Sequence, residues 1–135
     1  MNIRAYTTAD YEQVVVLYKR EDLYGGQFDA DRDSAARLEA AIKEDPNSVL
    51  VAEEDGKIVG TVSLLQNARQ AWLFRFAAEE GAVNGLYERA AEVLKARGHK
   101  QVLVYSAAGD KVLDERYLKL GFTKGNNFTA FWKEF

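Results

Sequence analysis

Three short apolar segments follow one another in the middle of the chain. Residues 48–52 are rich in β-branched side chains, and Asp55-Gly56, a signal for a two-residue hairpin turn, separates them from a partner segment at 57–65. A third apolar segment follows a short turn, at 71–77. Because consecutive strands joined by short turns pair antiparallel, the sequence predicts a three-stranded meander here.

The most regular helical pattern in the chain follows this meander. It covers 84–97 and stops at Gly98, with an apolar stripe made of Leu86, Ala90, Val93 and Leu94. Another apolar segment, 101–105, predicts a strand. A strand, helix and strand in this order predict a right-handed crossover and a parallel strand pair.

Capping residues and periodicity predict the other elements. They are a strand at 2–6, a helix from Thr7-Thr8 to Gly25-Gly26, a helix at 30–43, a helix at 110–119 and a hairpin at 122–135. The order β-α-α-β-β-β-α-β-α-β-β indicates an α/β (α+β) fold. Its sheet is expected to be mixed but mostly antiparallel, with six to seven strands and helices on both faces. No linker or repeat divides the chain, so residues 1–135 are expected to form a single domain.

Composition excludes several classes of function. The chain has no cysteine and one histidine, His99, so we expect no disulfide, no thiolate site and no metal. Its 18 basic and 21 acidic residues give a net charge of −3, which argues against a nucleic-acid partner. No apolar run approaches the roughly 20 residues of a membrane span, and the N-terminus lacks an apolar signal core. We therefore expect no membrane association and a cytoplasmic location.

Three motifs, in this order, carry a family resemblance. They are Ile3-Arg4 with Thr7, Asp10 and Val14; the hairpin Val51-Ala52-Glu53-Glu54-Asp55-Gly56-Lys57-Ile58-Val59-Gly60; and Tyr117-Leu118-Lys119-Leu120-Gly121-Phe122. Together with the element order they resemble the GNAT superfamily of N-acetyltransferases over essentially the whole chain. The last motif is similar to the family signature Tyr-x-Lys-x-Gly-Phe.

The resemblance implies transfer of an acetyl group from acetyl-CoA to an amine of a small molecule or a peptide. In the family the pantetheine arm lies between the strands equivalent to 71–77 and 101–105, where it pairs with exposed backbone as an added strand would. By position, Phe74, Arg75 and Phe76 would supply these backbone groups, and an N–H there would also stabilise the oxyanion.

The resemblance also places the pyrophosphate of CoA at the N-terminus of helix 84–97, where unpaired N–H groups and the helix dipole favour anions. The family motif Gln/Arg-x-x-Gly-x-Gly/Ala falls on residues 78–83. The backbone of Gly81, Ala82 and Val83 is then the expected contact.

This segment departs from the motif. Only its central glycine matches, Val83 stands where the family has a small residue, and Glu79 and Glu80 add two carboxylates beside the expected anion. Two interpretations stay open. Either the segment still binds CoA through its amides, or the chain is a catalytically silent GNAT-fold binding module.

Candidate catalytic side chains also follow from the resemblance. Tyr117 is the expected general acid toward the CoA sulfur, since a phenol with an ordinary pKa near 10 suits donation to a thiolate; the alternative is a packed helix tyrosine. Asp110 stands where the family often has an asparagine that contacts the cofactor, and the alternative is an N-cap. The general base is unassigned, and the nearby candidates, whose alternative is a solvated turn residue, are Glu53, Glu54, Glu79 and Glu80.

Arg75 is a charge inside a predicted central strand. Alternation predicts Trp72, Phe74 and Phe76 on one face and Arg75 with Leu73 on the other. Arg75 therefore has two alternative roles: it recognises an anionic group of a substrate or cofactor, or it forms a salt bridge to a carboxylate of the protein.

The segment at 21–28 corresponds to one lip of the acceptor site in the family. Tyr24 and Phe28 would line that site and Asp22 would bind a cationic acceptor, the alternative being a helix connector with an aromatic anchor.

The predicted strand at 128–135 is apolar on both faces. One face suits the core, and the other is open to a helix layer, the acceptor wall or a homodimer contact.

Overall fold

This computed structural model describes residues 1–20 and 28–135, which form four strands and four α-helices. The chain divides into two compact units, Met1–Tyr105 and Ser106–Phe135. The first unit contains β1 (Asn2–Ala5), α1 (Tyr11–Arg20), α2 (Ala35–Glu44), β2 (Val49–Glu54), β3 (Lys57–Gln66), β4 (Ala71–Ala78) and α3 (Glu80–Ala96), and the second contains α4 (Lys111–Lys119).

The sheet of the first unit has the order β1-β2-β3-β4, and all three pairs are antiparallel. The predicted meander is therefore confirmed as β2, β3 and β4. Asp55 and Gly56 have φ values of 51° and 77° at the tip of the first hairpin, as a primed turn requires.

The prediction of six to seven strands is wrong for the part of the chain that the structure describes. Residues 101–105 contribute one isolated parallel bridge, Trp72 to Leu103, with Leu103 O accepting from Leu73 N at 2.8 Å. The bridge confirms the parallel direction of the crossover but not a strand. In the second unit, residues 122–135 contain no described strand. Aromatic content favours a strand only where a neighbouring strand takes up its backbone hydrogen bonds, and the large apolar side chains there are exposed: Phe128, Phe131, Trp132 and Phe135.

Helices cover both faces of this sheet, as predicted. A Cβ at Gly60 of β3 would stand 2.8 Å from Leu86 of α3, while the next residue, Thr61, hydrogen-bonds the hydroxyl of Tyr18 in α1. Because successive residues of a strand point to opposite faces, α1 and α3 lie on opposite sides of β3.

Apolar burial follows the predicted helical stripe in α3 closely. Leu86, Ala90, Val93 and Leu94 are all buried. The prediction of the second helix at 30–43 is less accurate, because α2 begins at Ala35 rather than residue 30. Leu38 is its one buried residue. Ser34 caps α2 by accepting from Arg37 N at 3.2 Å. Among the described residues no helix is both long and apolar enough to cross a membrane.

An ion cluster fastens β1 to the start of α1. Arg4 donates to both oxygens of Asp10 at 2.7 and 2.9 Å and to Glu53 of β2 at 2.8 Å. Asp10 is buried and also accepts from Thr7 N at 2.8 Å. Burial by itself raises the pKa of Asp10, but the hydrogen bonds from Arg4 and Thr7 outweigh it and hold the pKa below the ordinary value.

Replacing Asp10 with Asn is expected to lower the free energy of unfolding by about 2 kcal/mol at neutral pH, because a buried charged hydrogen bond is lost. A lowered folded-state pKa stabilises the fold above the ordinary carboxyl pKa of about 4, and this contribution disappears as the pH falls through the lower value. The difference in unfolding free energy between wild type and Asp10→Asn, measured in urea, should therefore narrow as the pH falls below the ordinary carboxyl pKa of about 4. Exposed Glu44→Gln is the control, and a gap independent of pH would contradict this account.

Candidate active site

An extra residue in β4 forms a β-bulge. The β3–β4 register passes from Ser63 opposite Phe74 to Thr61 opposite Ala77, so Arg75 and the residue after it share one partner position. Arg75 has φ of 50°, in the left-handed region that few non-glycine residues occupy. The bulge re-aims the side chains on either side of it.

The predicted alternation of side chains along this strand is wrong at the bulge. Phe74 and Arg75, although consecutive, both line the same pocket, and Phe76 is buried. The extra residue places two neighbours on one side, which strict alternation forbids.

Asp33, just before α2, is the carboxylate partner of Arg75. Their side chains are 11% and 17% exposed, and Arg75 Nη2 lies 2.7 Å from Asp33 Oδ2. The Arg75 guanidinium also stacks 4.6 Å from the centre of the Tyr18 ring. Asp33 is itself held, because its side chain accepts from Asp29 N at 3.0 Å and its carbonyl accepts from Tyr11 Oη at 2.9 Å.

A pocket of about 330 Å³ opens beside the bulge. It lies between α2 and the sheet, and its size suits a small molecule. Its described charged lining is Arg32, Asp33, Arg37 and Arg75, and its other polar lining includes Tyr18, Ser48 and Ser63.

The Tyr18 hydroxyl on this pocket is a structural group. Burial raises its pKa above the ordinary value, and hydrogen bonds to Ser63 and Thr61 offset only part of that shift. At neutral pH the phenol keeps its proton, so Tyr18 is unsuited to act as a general base.

Helix α3 begins directly after β4, at Glu80 rather than at the predicted residue 84. Ala82 and Val83 are buried, so the methyl groups of Val83 pack inside the protein instead of obstructing the helix N-terminus. Gly81 is exposed, and apart from its chain neighbours and its own helix backbone no described atom lies within 4 Å of where its Cβ would stand. The amides of this turn therefore have room for a ligand on the glycine side.

The four candidate general bases lie outside the pocket lining that the structure describes. Glu53 belongs to the Arg4 cluster, and Glu54 is exposed at the hairpin. Glu79 and Glu80 are exposed at the start of α3, where a Glu79 oxygen lies 3.6 Å from Arg20. Glu79 therefore forms only a loose surface pair with Arg20.

Phe28 is a core anchor rather than a lining residue of this pocket. It packs partly buried against the core cluster of α1 and the sheet, and Lys19 Nζ lies 4.8 Å from its ring centre. Asp22 and Tyr24, the other predicted acceptor-binding residues, lie outside the described residues.

In the second unit, the two predicted residues of α4 have different surroundings. Asp110 caps the helix by accepting from Leu113 N at 3.1 Å, which is the N-cap alternative of the sequence analysis. Tyr117 is buried, with its ring edge-on to Phe122 at 5.8 Å between centres. The Phe122 N–H donates to Tyr117 O at 3.0 Å after the turn at Gly121, which has φ of 91°.

Sequence reasoning missed Asp33 and the pocket that it helps to form. Asp33 stands in a run of alternating acidic residues, Asp29, Asp31 and Asp33, that is typical of a solvated turn. No local signal shows that one of them pairs with an arginine 42 residues away. The described residues contain no group of three or more potential metal ligands.

Solved structures provide the comparison with known proteins, since no protein-family model matches the sequence. The chain is similar to the PaiA N-acetyltransferase of Thermoplasma acidophilum in complex with coenzyme A, with 19% identity, a TM-score of 0.74, and 94% of this chain and 92% of that chain covered. It is also similar to a predicted acetyltransferase of Clostridium acetobutylicum with acetyl-CoA, with 16% identity, a TM-score of 0.69, and 96% and 94% covered.

A third similar structure is an aminoglycoside antibiotic 6′-N-acetyltransferase of Acinetobacter haemolyticus. Identity is 16%, the TM-score is 0.75, and 100% of this chain and 99% of that chain are covered. These likenesses extend over nearly the whole of each chain. The chain therefore has the GNAT fold, and the resemblance drawn from its sequence motifs is confirmed at the level of the fold.

Replacing Asp33 with Asn should destabilise the first unit by about 1–3 kcal/mol, because it leaves the largely buried Arg75 charge without its 2.7 Å carboxylate. Asp31→Asn is the matched control. Its side chain is 85% exposed, and its oxygen lies 3.6 Å from Arg37, so its effect should stay within about 0.5 kcal/mol. Urea unfolding measures the free energy of unfolding of both variants. Equal losses would show that the Arg75–Asp33 pair contributes no more to stability than a surface ion pair does.

Proposed function

We propose that this protein is an N-acyltransferase that transfers an acetyl group from acetyl-CoA to the amine of a small molecule or peptide. The observation that carries the proposal is the bulge at Arg75, which lies between a small-molecule pocket and the N-terminus of α3. The fold supports it, since similar structures include acetyltransferases with coenzyme A and acetyl-CoA.

The residues around the bulge suit an acetyl-CoA site. The first turn of α3 offers backbone amides with an open approach at Gly81, as an anionic pyrophosphate requires. Phe74, Arg75 and Phe76 lie on β4 immediately before this turn, and their backbone is the proposed contact for the pantetheine arm and thioester. The side chains of Ala82 and Val83 are buried, so their proposed contacts to CoA are through the backbone, where the Ala82 N–H also donates to Glu79 O at 2.9 Å.

The proposed reaction is direct transfer. The neutral amine nitrogen forms a bond to the thioester carbonyl carbon, the carbon–sulfur bond breaks, and the amine loses a proton to water or a base. A backbone N–H at the bulge stabilises the oxyanion that develops on the carbonyl. Tyr117 is the proposed donor of a proton to the departing thiolate, and Asp110 supports the helix that carries it.

The alternative, a silent GNAT-fold binding module, is favoured by one observation. Glu79 and Glu80 are exposed where the pyrophosphate is expected, and like charges there weaken anion binding. Affinity for CoA separates the two functions, because an enzyme must bind its acyl donor and a module of this kind need not.

Calorimetric titration of acetyl-CoA and CoA tests this directly. We expect a Kd in the micromolar range, weakened at least about tenfold in Gly81→Trp, because the indole fills the open approach to the helix amides. Gly125→Trp is the control, since that glycine lies in open space in the second unit with no described neighbour within 4 Å. Absence of binding at millimolar CoA would overturn the acyltransferase proposal and leave the binding module.

A second prediction concerns Tyr117. Tyr117→Phe removes the phenolic proton while keeping the ring against Phe122, so kcat for acetyl transfer should fall about 10²- to 10⁴-fold with CoA affinity unchanged. Turnover is followed by thiol release with an amine panel. An unchanged kcat would remove Tyr117 from the mechanism without affecting the CoA site.

A further inference from the structure

We infer that the pocket beside the bulge selects acceptors that carry a carboxylate or phosphate in addition to the amine, and that it disfavours polycationic amines. The inference rests on the proposed function, whose acceptor it specifies. It concerns the first unit alone, because every described lining residue of the pocket lies within Met1–Tyr105.

The charge balance of the pocket supports this selection. Its described lining has three arginines, Arg32, Arg37 and Arg75, and a single carboxylate, Asp33. That carboxylate is already paired with Arg75 at 2.7 Å and accepts from Asp29 N. A substrate ammonium entering the pocket would have to share this one carboxylate with the Arg75 guanidinium, whereas an anion would not.

Arg32 and Arg37 are placed to receive that anion. Their side chains are 66% and 62% exposed, and their nearest carboxylates, Asp29 and Asp31, lie 3.6 Å away. Direct charge-assisted hydrogen bonds are shorter, about 2.7–2.9 Å. Each guanidinium has five donors, so both retain donor capacity for a substrate group at the pocket.

Asp29, the carboxylate beside Arg32, is itself engaged by the backbone. Asp29 Oδ1 accepts from Asp31 N and Arg32 N, both at 2.9 Å, and these bonds lower the pKa of Asp29. The Asp29 carboxylate therefore stabilises the turn that contains Arg32. The turn ends at Ser34, which caps α2 and thereby orients Arg37 in its first turn.

The test uses matched amines that differ by one anionic group. Ethanolamine is compared with O-phosphoethanolamine, and tryptamine with tryptophan, so that phosphate and carboxylate are examined separately; kanamycin is the polycationic probe. Binding is measured by calorimetry with and without CoA, and acetylation by thiol release. The wild-type protein should bind at least one anionic amine about three- to tenfold more tightly than its uncharged-tail counterpart and more tightly than kanamycin.

The double variant Arg32→Gln/Arg37→Gln should lose this preference. Arg69→Gln/Arg89→Gln is the control, because it removes the same charge from two exposed or half-exposed arginines that do not line the pocket. Circular dichroism spectra are compared with that of the wild-type protein to check that both variants fold. Raising the salt concentration to about 0.5 M should reduce the preference of the wild-type protein for anionic amines, because salt screens the exposed charges of Arg32 and Arg37.

The outcomes separate this inference from the proposed function. Equal binding within both pairs, tighter binding of kanamycin, or a preference that survives in the double variant would each overturn the inference. So would the absence of binding by every probe at millimolar concentration. If the anionic preference is found but acetyl-CoA does not bind, the acyltransferase proposal fails and the anion-selective pocket stands.

Discussion

The bulge in β4 is the constraint on which the candidate site depends. A non-glycine residue in the left-handed region costs on the order of 1–3 kcal/mol, so Arg75 must be held there by its surroundings. The short ion pair to Asp33 and the stacking on Tyr18 provide that restraint. Through them the turn before α2, helix α1 and the sheet meet at one point.

A close helix–sheet contact sets the other side of the site. Gly60 lies where any Cβ would stand 2.9 Å from the Cβ of Ala78 and 3.2 Å from that of Ala82. Small residues at these positions let α3 start directly at the end of β4, so the helix N-terminus and the bulge belong to the same strand–helix corner. That corner provides backbone groups on both sides of one short turn, which is the arrangement that the proposed acyl donor requires.

The pocket beside the bulge and the start of α3 carry charges of opposite sign. Arginines dominate the described pocket lining, while Glu79 and Glu80 make the start of α3 acidic. The first condition favours an anionic acceptor and the second weakens attraction of an anionic donor. On the proposed function, the helix amides must therefore bind the donor against a local charge penalty, whereas the acceptor is attracted by the pocket.

The sequence by itself determined the local elements of this protein. The Asp55-Gly56 turn, the three strands around it, the apolar stripe of α3 and the Asp110 cap all follow from propensities and periodicities within a few residues. The motifs that resemble GNAT sequences, which led to the correct fold, belong to the same category. Tertiary structure decided the bulge, the pairing of Arg75 with Asp33, and the lack of described strands at 101–105 and 122–135. These features depend on register and on hydrogen bonds between segments far apart in the chain, and a one-residue shift in register changes which side chains share a face without any local signal in the sequence.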